Sequence, residues 1–224
     1  RLHLALMGTW VVLGLLLARR IVAHAAAGVP TVSGITPLDY LATQFGVIVH
    51  YLRLAVVPRE LCLDYAWPPA EGWGEIGPPA LLLGVLAAAT IWALKRRAAA
   101  GYLGAWFFMT LALTSSVFPI GDFAFEHRMY LPLAAPVCLA VIGGYRAIEA
   151  GLSRCRVPSA GAAVVGWGIA AVLLVSAGWL TALRNTDYRS EVGMWRDVIA
   201  KRPENCRAQA ALAGALLQDR AVEE

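Results

Sequence analysis

Five stretches of this chain run for the length of a bilayer crossing, or nearly so, with little or no charge: residues 2–18, 79–94, 98–120, 130–148 and 160–183. A helix needs about 20 apolar residues to cross the hydrocarbon core, because each residue advances it by about 1.5 Å. Lipid offers a backbone no water to bond to, so a lone run of this kind must be helical. The expectation is an all-α, polytopic helical membrane domain over residues 1–183. Composition agrees: 59% of the 224 residues are hydrophobic and 15% charged, with mean hydropathy +0.62, whereas soluble domains are about one-quarter charged. The net charge of +4 reflects Lys and Arg flanking the spans and gives no reason to expect nucleic acid as a partner. Arg1 lies inside an apolar run and 222–224 inside a helical pattern, so we expect both ends to be internal to a longer chain.

Residues 37–57 read differently. Leu38, Leu41, Phe45, Ile48 and Leu52 recur at helical spacing, and Asp39, Thr43, His50 and Arg53 form a second stripe. So polar a helix suits the membrane interface better than a crossing. The following loop, 58–78, carries Pro58, Pro68, Pro69 and Pro78 together with Trp67 and Trp73. Proline there fixes extended backbone and tryptophan prefers the headgroup level, which predicts an ordered loop at the outer boundary.

Basic residues set the orientation. Lys95, Arg96 and Arg97 sit in one short connection, and Arg146, Arg154 and Arg156 flank another, so both are expected on the cytoplasmic side. Loops 58–78 and 121–129 and everything after Arg184 then face outward. Arg19 and Arg20 fit the positive-inside rule only if 37–57 crosses the membrane. The Ala- and Arg-rich composition points to a bacterial inner membrane, with the outward segments on the periplasmic side. Cys62, Cys138, Cys155 and Cys206 are scattered, with no metal-binding spacing.

Beyond residue 184 the pattern becomes that of soluble helices over 191–201 and 206–220, around Arg202, Pro203, Glu204 and Asn205. Ala208, Ala211, Leu212, Ala215 and Leu216 fall at helix spacing. With Pro203 as the closing proline of one unit, Trp195 takes its large apolar position, and Leu212 and Ala213 open the next. Residues 184–224 therefore resemble the start of a tetratricopeptide repeat (TPR) domain, with Ala213 in place of the usual Gly. A single unit cannot bury its own core, so further repeats are expected.

The densest polar signal lies between two spans, where Asp122, Glu126, His127 and Arg128 fall within seven residues and Tyr130 follows. Charges at membrane depth are costly and usually have a use. An arginine there can fork onto phosphate oxygens, and Glu126 is placed to hold it when no ligand is bound. The plain alternative is a loop with snorkelling charges and an interfacial Tyr130 anchor.

The run Glu126-His127-Arg128-Met129-Tyr130-Leu131-Pro132 resembles the Arg-x-Tyr-Leu-Pro segment of membrane glycosyltransferases of the GT-C type, which use polyprenyl-phosphate sugars. Among these the chain is most similar to bacterial relatives of the transmembrane and tetratricopeptide-repeat O-mannosyltransferases. Thr36-Pro37-Leu38-Asp39-Tyr40 through His50-Tyr51-Leu52-Arg53-Leu54 resembles the family's amphipathic segment. Residues 57–65, ending in Asp64-Tyr65, resemble the loop after it, and a repeat follows the last span. The resemblance implies GT-C-like spans, an interfacial 37–57, and a polyprenyl-phosphate sugar as donor substrate, with no cofactor evident and the need for a divalent metal open. It implies a lipid-phosphate site drawn from Arg128, His127 and Glu126, with Arg19, Arg20 and Arg53 as lesser candidates. His127 either donates to the phosphate or caps a helix start. Asp64, Tyr65, Asp122 and Tyr130 either shape the cleft or hold the loops. The partners implied are membrane lipid, the lipid-linked sugar, and an acceptor protein bound by the TPR tail.

The family's catalytic carboxylates lie in its first outer loop, and none of Asp64, Asp122 and Glu126 matches that motif. The general base is therefore expected N-terminal to residue 1. Two other classes stay open: a non-catalytic membrane-anchored TPR scaffold, and an envelope polysaccharide ligase or polymerase. A transporter fits least, because no broken helix pair marks a midplane site.

Overall fold

A computed structural model of the chain describes residues 35–112, 114, 115, 122–154 and 159–223, together with Arg19. The expected span 2–18 and Arg20 lie outside the described residues. Within them the fold is all-helical, with seven α-helices, one 3-10 turn and no strand: α1 Pro37–Val56, α2 Trp73–Lys95, α3 Ala99–Ala112, the 3-10 turn Glu126–Met129, α4 Ala134–Arg154, α5 Ser159–Asp187, α6 Glu191–Lys201 and α7 Cys206–Glu223.

Helix α1 begins where its sequence says it should. The Thr36 hydroxyl accepts the Asp39 N–H, the Asp39 carboxylate accepts the Thr36 N–H, and Pro37 opens the first turn. Pro58 follows its C-cap, Val57. The packed face is neither of the two stripes read from the sequence. Tyr40, Thr43, Gln44, Val47, Ile48 and Tyr51 are buried, while Leu38 is 73% exposed. The mixed face can be buried because the loops supply partners for its polar tips. Gln44 Nε2 donates to the Phe123 carbonyl at 3.1 Å, and the Thr43 hydroxyl accepts the Ala70 N–H at 2.9 Å.

Among the described residues three helices are long and apolar enough to cross a membrane: Trp73–Lys95, Ala134–Leu152 and Ala163–Asp187, of 23, 19 and 25 residues. Their large side chains stand exposed around most of the circumference, including Leu81, Val85 and Trp92 on α2 and Trp167, Leu174 and Trp179 on α5. A helix apolar all round, with most of its circumference free of protein contact, needs lipid or another apolar surface as its solvent.

Helix α2 starts at Trp73, so the ordered loop ends at Gly72 and Pro78 lies inside the helix. Helix α3 is shorter than the expected span 98–120. It stops at Ala112, with Thr114 and Ser115 in a turn. Helix α4 begins four residues after Tyr130 and runs beyond 148 to Arg154, and α5 runs past 183 to Asp187. Helices α2 and α3 form a tight hairpin. Arg97 takes φ 54° in the turn, and an added Cβ on Gly101 would come within 2.5 Å of the Leu94 backbone nitrogen. Glycine is required at that crossing for the backbones to approach this closely.

One core joins the membrane end to the tail. Tyr40, Val47 and Tyr51 of α1, Phe107 and Leu111 of α3, and Cys62, Tyr65, Phe123 and Met129 of the loops pack with Val198 of α6 and Ala208 of α7. The two soluble helices are thus docked onto the loops.

Candidate functional site

The site forms where the 58–72 loop and the 122–130 loop fold onto α1. Loop residues 122–125 have no ladder of their own, so α1 side chains receive them. The Tyr51 hydroxyl accepts the Phe125 N–H at 2.7 Å, and the Tyr40 ring stacks on Phe123 with centroids 5.4 Å apart. This cradle fixes the 3-10 turn that carries Glu126, His127 and Arg128.

Arg128 points inward and is only 7% exposed. Its Nη1 donates to the Phe123 carbonyl at 3.0 Å, the Tyr40 hydroxyl at 3.3 Å and the Thr114 carbonyl at 3.4 Å, and its Nη2 donates to the Asp122 carbonyl at 2.7 Å. All four acceptors are neutral oxygens, and no carboxylate among the described residues pairs with this guanidinium. The Phe125 ring lies 5.5 Å from it, adding a cation–π contact. The site therefore keeps a full positive charge.

Glu126 does not hold Arg128. Its carboxylate turns to the other loop, accepting the Cys62 N–H at 2.6 Å and the Tyr65 hydroxyl at 2.7 Å. The reason is one of supply: Cys62 N–H and the Tyr65 hydroxyl are donors in a buried loop, and an unsatisfied buried donor costs about 1–3 kcal/mol. Burial, then the Glu126 carboxylate, raise the Tyr65 pKa well above its ordinary value, so the phenol stays a donor.

Asp64 and Asp122 are joined by a residue that the sequence did not single out. Arg207, near the start of α7, donates from Nε to Asp64 Oδ2 at 2.7 Å and from Nη2 to Oδ1 at 2.5 Å, and its Nη1 meets Asp122 Oδ1 at 2.5 Å. Burial works to raise the Asp64 pKa, but the Arg207 bonds and the Ala66 N–H outweigh it and hold the carboxyl below its ordinary range. The same carboxylate accepts the Ala66 N–H at 3.0 Å, beside a backbone held at φ 41°. Lys201 Nζ adds a bond to the Leu61 carbonyl at 2.7 Å, and Asn205 Nδ2 one to the Asp64 carbonyl at 3.4 Å.

A cavity of about 520 Å³ opens beside the 3-10 turn. Phe125, His127 and Arg128 line one part, and Thr110, Thr114, Tyr130, Leu131 and Pro132 the rest. His127 is exposed and stacks on Phe125 at 5.1 Å, and Tyr130 is 80% exposed. The Thr114 hydroxyl oxygen is buried with no hydrogen-bond partner among the described residues.

The structure thus gathers Asp64, Tyr65, Asp122, Glu126, His127 and Arg128 into one junction, with Tyr130 at its rim. Arg53, in the last turn of α1, and Arg19 are exposed, and neither touches the cavity. Among the described residues no group of three or more His, Cys, Asp or Glu is placed to hold a metal ion. Tyr40, Gln44 and Tyr51 were legible in principle as polar or amphipathic tips within a helix. Arg207 had no local signal, since 143 residues separate it from Asp64. No family model, curated protein or solved structure matches this chain.

His50 makes the docking of the tail pH-dependent. Its ring packs against Tyr65 at 5.1 Å and Trp67 at 5.0 Å, with its Nε2 buried and without a hydrogen-bond partner among the described residues. Burial, then Arg202 of the tail and Arg53 of α1, lower its pKa below 6.5, and Glu60 opposes them weakly. Below pH 6.5 an opened state, in which the loop has left the His50 ring to water and the tail with Arg202 has moved away, takes up a proton that the closed state resists, so the closed junction is fully stable above 6.5 and weakens as pH falls. Limited proteolysis between α5 and α6 should accelerate from pH 7.5 to 5.5, and His50→Gln should flatten that dependence.

Proposed function

We propose that the chain is the C-terminal membrane part of a GT-C-type glycosyltransferase. It would act at the outer face of a bacterial inner membrane, taking its sugar from a polyprenyl phosphate. Helices α6 and α7 begin a TPR tail that binds the acceptor protein or a partner. The observation that carries this reading is Arg128: a buried cation with no counter-ion among the described residues, on the wall of a cavity whose remaining lining is mostly apolar and beside helices suited to lipid. A buried charge satisfied only by neutral oxygens is the natural seat of an anion with an apolar tail. The cavity falls in the size range of ligand sites, about 300–1,000 Å³. The meeting of both loops with the tail supports their lying on one side of the membrane.

In the reaction, the bond between the sugar C1 and the phosphate oxygen breaks while the acceptor hydroxyl bonds to C1 and releases its proton. Negative charge grows on the departing lipid phosphate. Arg128 and His127, which both line the cavity, would stabilise it electrostatically. Asp64, Asp122 and Glu126 are each engaged with donors in the loops and tail, so none is assigned as the general base.

His127 gives the cleaner test, because it is exposed and bears no load in the loop. Binding of polyprenyl phosphate to the full-length protein in nanodiscs is measured by native mass spectrometry, and lipid-linked sugar turnover is followed in membranes. His127→Ala should weaken binding roughly tenfold, as expected for one lost bond to a charged group of at least about 1.4 kcal/mol. Unchanged binding in His127→Ala, or no binding by the wild type, would remove the support for this site and leave the membrane-anchored scaffold as the better account.

A further inference from the structure

One residue belongs to both halves of the junction. The Asp122 carboxylate takes Arg207 Nη1 at 2.5 Å, and the Asp122 carbonyl takes Arg128 Nη2 at 2.7 Å. The opposite edge of the same Arg207 guanidinium is fixed bidentately on Asp64, whose side chain is 7% exposed. A planar fork held on one carboxylate leaves little freedom in where its third nitrogen points. The position of Asp122, and with it the carbonyl that aims Arg128, therefore depends on α7 being docked.

We propose that Arg207 is a positioning residue for Arg128: docking of the α6–α7 hairpin sets the loop that holds the buried guanidinium against the cavity. What engages the hairpin is then felt at the cavity, and the reverse follows from linkage. The consequence for a lipid phosphate rests on the function proposed above; the coupling between α7 and the loop does not. The rest of the hairpin's attachment makes the claim specific. Lys201 reaches the Leu61 carbonyl, and Arg202 lies 5.7 Å from the centre of the Tyr65 ring, so both hold the tail to the 58–72 loop without touching Asp122.

Hydrogen–deuterium exchange on the full-length protein in nanodiscs separates these routes. Arg207→Ala should speed exchange of the Phe125 and Arg128 amides by roughly tenfold, a local opening effect. Arg207→Lys, with one ammonium in place of the fork, should fall between it and wild type. Lys201→Ala should speed exchange chiefly in the hairpin and around residue 61, and at Phe125 and Arg128 much less than Arg207→Ala does, because its only path there runs through Cys62 and Glu126. If Arg207→Ala does not fold, Arg207→Lys and Asp122→Asn carry the test. Exchange at 122–130 that is unchanged by these variants, or changed equally by Lys201→Ala, overturns the coupling. Polyprenyl phosphate binding, measured on the same samples, should weaken several-fold in Arg207→Ala when both readings hold. Coupled exchange in a wild type that binds no polyprenyl phosphate would support the coupling and sink the proposed function.

Discussion

Arg128→Ala is expected to destabilise the junction of α1, the two loops and the tail by at least about 3 kcal/mol, given about 1.5–3 kcal/mol for each non-additive bond to a charged group. The truncation strips the donor from three carbonyls and the Tyr40 hydroxyl at once, in a place where the guanidinium itself is buried. With Tyr40, Arg128 is one of the side chains that join α1, the end of α3 and the 122–130 loop, and the truncation leaves Tyr40 to do so alone among the described residues. Arg128→Lys keeps the charge, but a compact ammonium with three donors cannot span four acceptors facing a planar fork, so it should recover only part of the loss. Thermal unfolding in detergent checks this, with a fall of roughly 6–12 °C for the Ala variant. An Arg128→Ala protein that accumulates and melts like wild type would mean the buried fork is not structural. Because folding and ligand binding meet in this residue, lost activity in Arg128→Ala cannot by itself identify a phosphate site.

Glu126→Ala is expected to cost about 2–3 kcal/mol, since a buried donor left unsatisfied costs about 1–3 kcal/mol and a bond to a charged group is worth somewhat more. The Tyr65 hydroxyl loses its acceptor, while the Cys62 N–H keeps only a longer bond to Tyr65 Oη at 3.3 Å. The damage should spread to the tail, because Lys201 and Arg202 grip the segment that Glu126 holds, at the Leu61 carbonyl and the Tyr65 ring. Glu126→Gln retains an acceptor oxygen and should lose about half as much, roughly 1 kcal/mol. Protease cleavage between α5 and α6, compared with melting temperature, tests the spread. A Glu126→Ala variant with lowered melting but a fully protected tail would show that the two loops are held independently.

The apolar runs and the polar loop were legible because both depend on local composition. Helix α1 is the instructive middle case. Its cap was written in Thr36, Pro37 and Asp39, yet its packed face was not. Period alone cannot tell which stripe of an amphipathic helix will be covered, because Thr43 and Gln44 are buried only by virtue of Ala70 and Phe123 reaching them from distant loops. The end of α3 illustrates the same limit. An unbroken apolar pattern reads as one helix, and the turn at Thr114 and Ser115 is set by packing, with the Thr114 carbonyl accepting from Tyr40 and Arg128.

What the sequence by itself determined is the solvent of each segment: which runs are suited to lipid, where charge collects, and where the chain turns into soluble helices. Those follow from transfer free energies, which each residue carries wherever it sits. Only the tertiary structure decided the pairing. Glu126 and Arg128 are two residues apart, yet one turns to Cys62 and Tyr65 and the other to carbonyls around Tyr40. Asp64 and Asp122 meet through Arg207, which lies 143 residues from the first. A charged side chain buried in a loop takes the donors and acceptors that the fold brings within about 3 Å of it, whatever its neighbours in the chain.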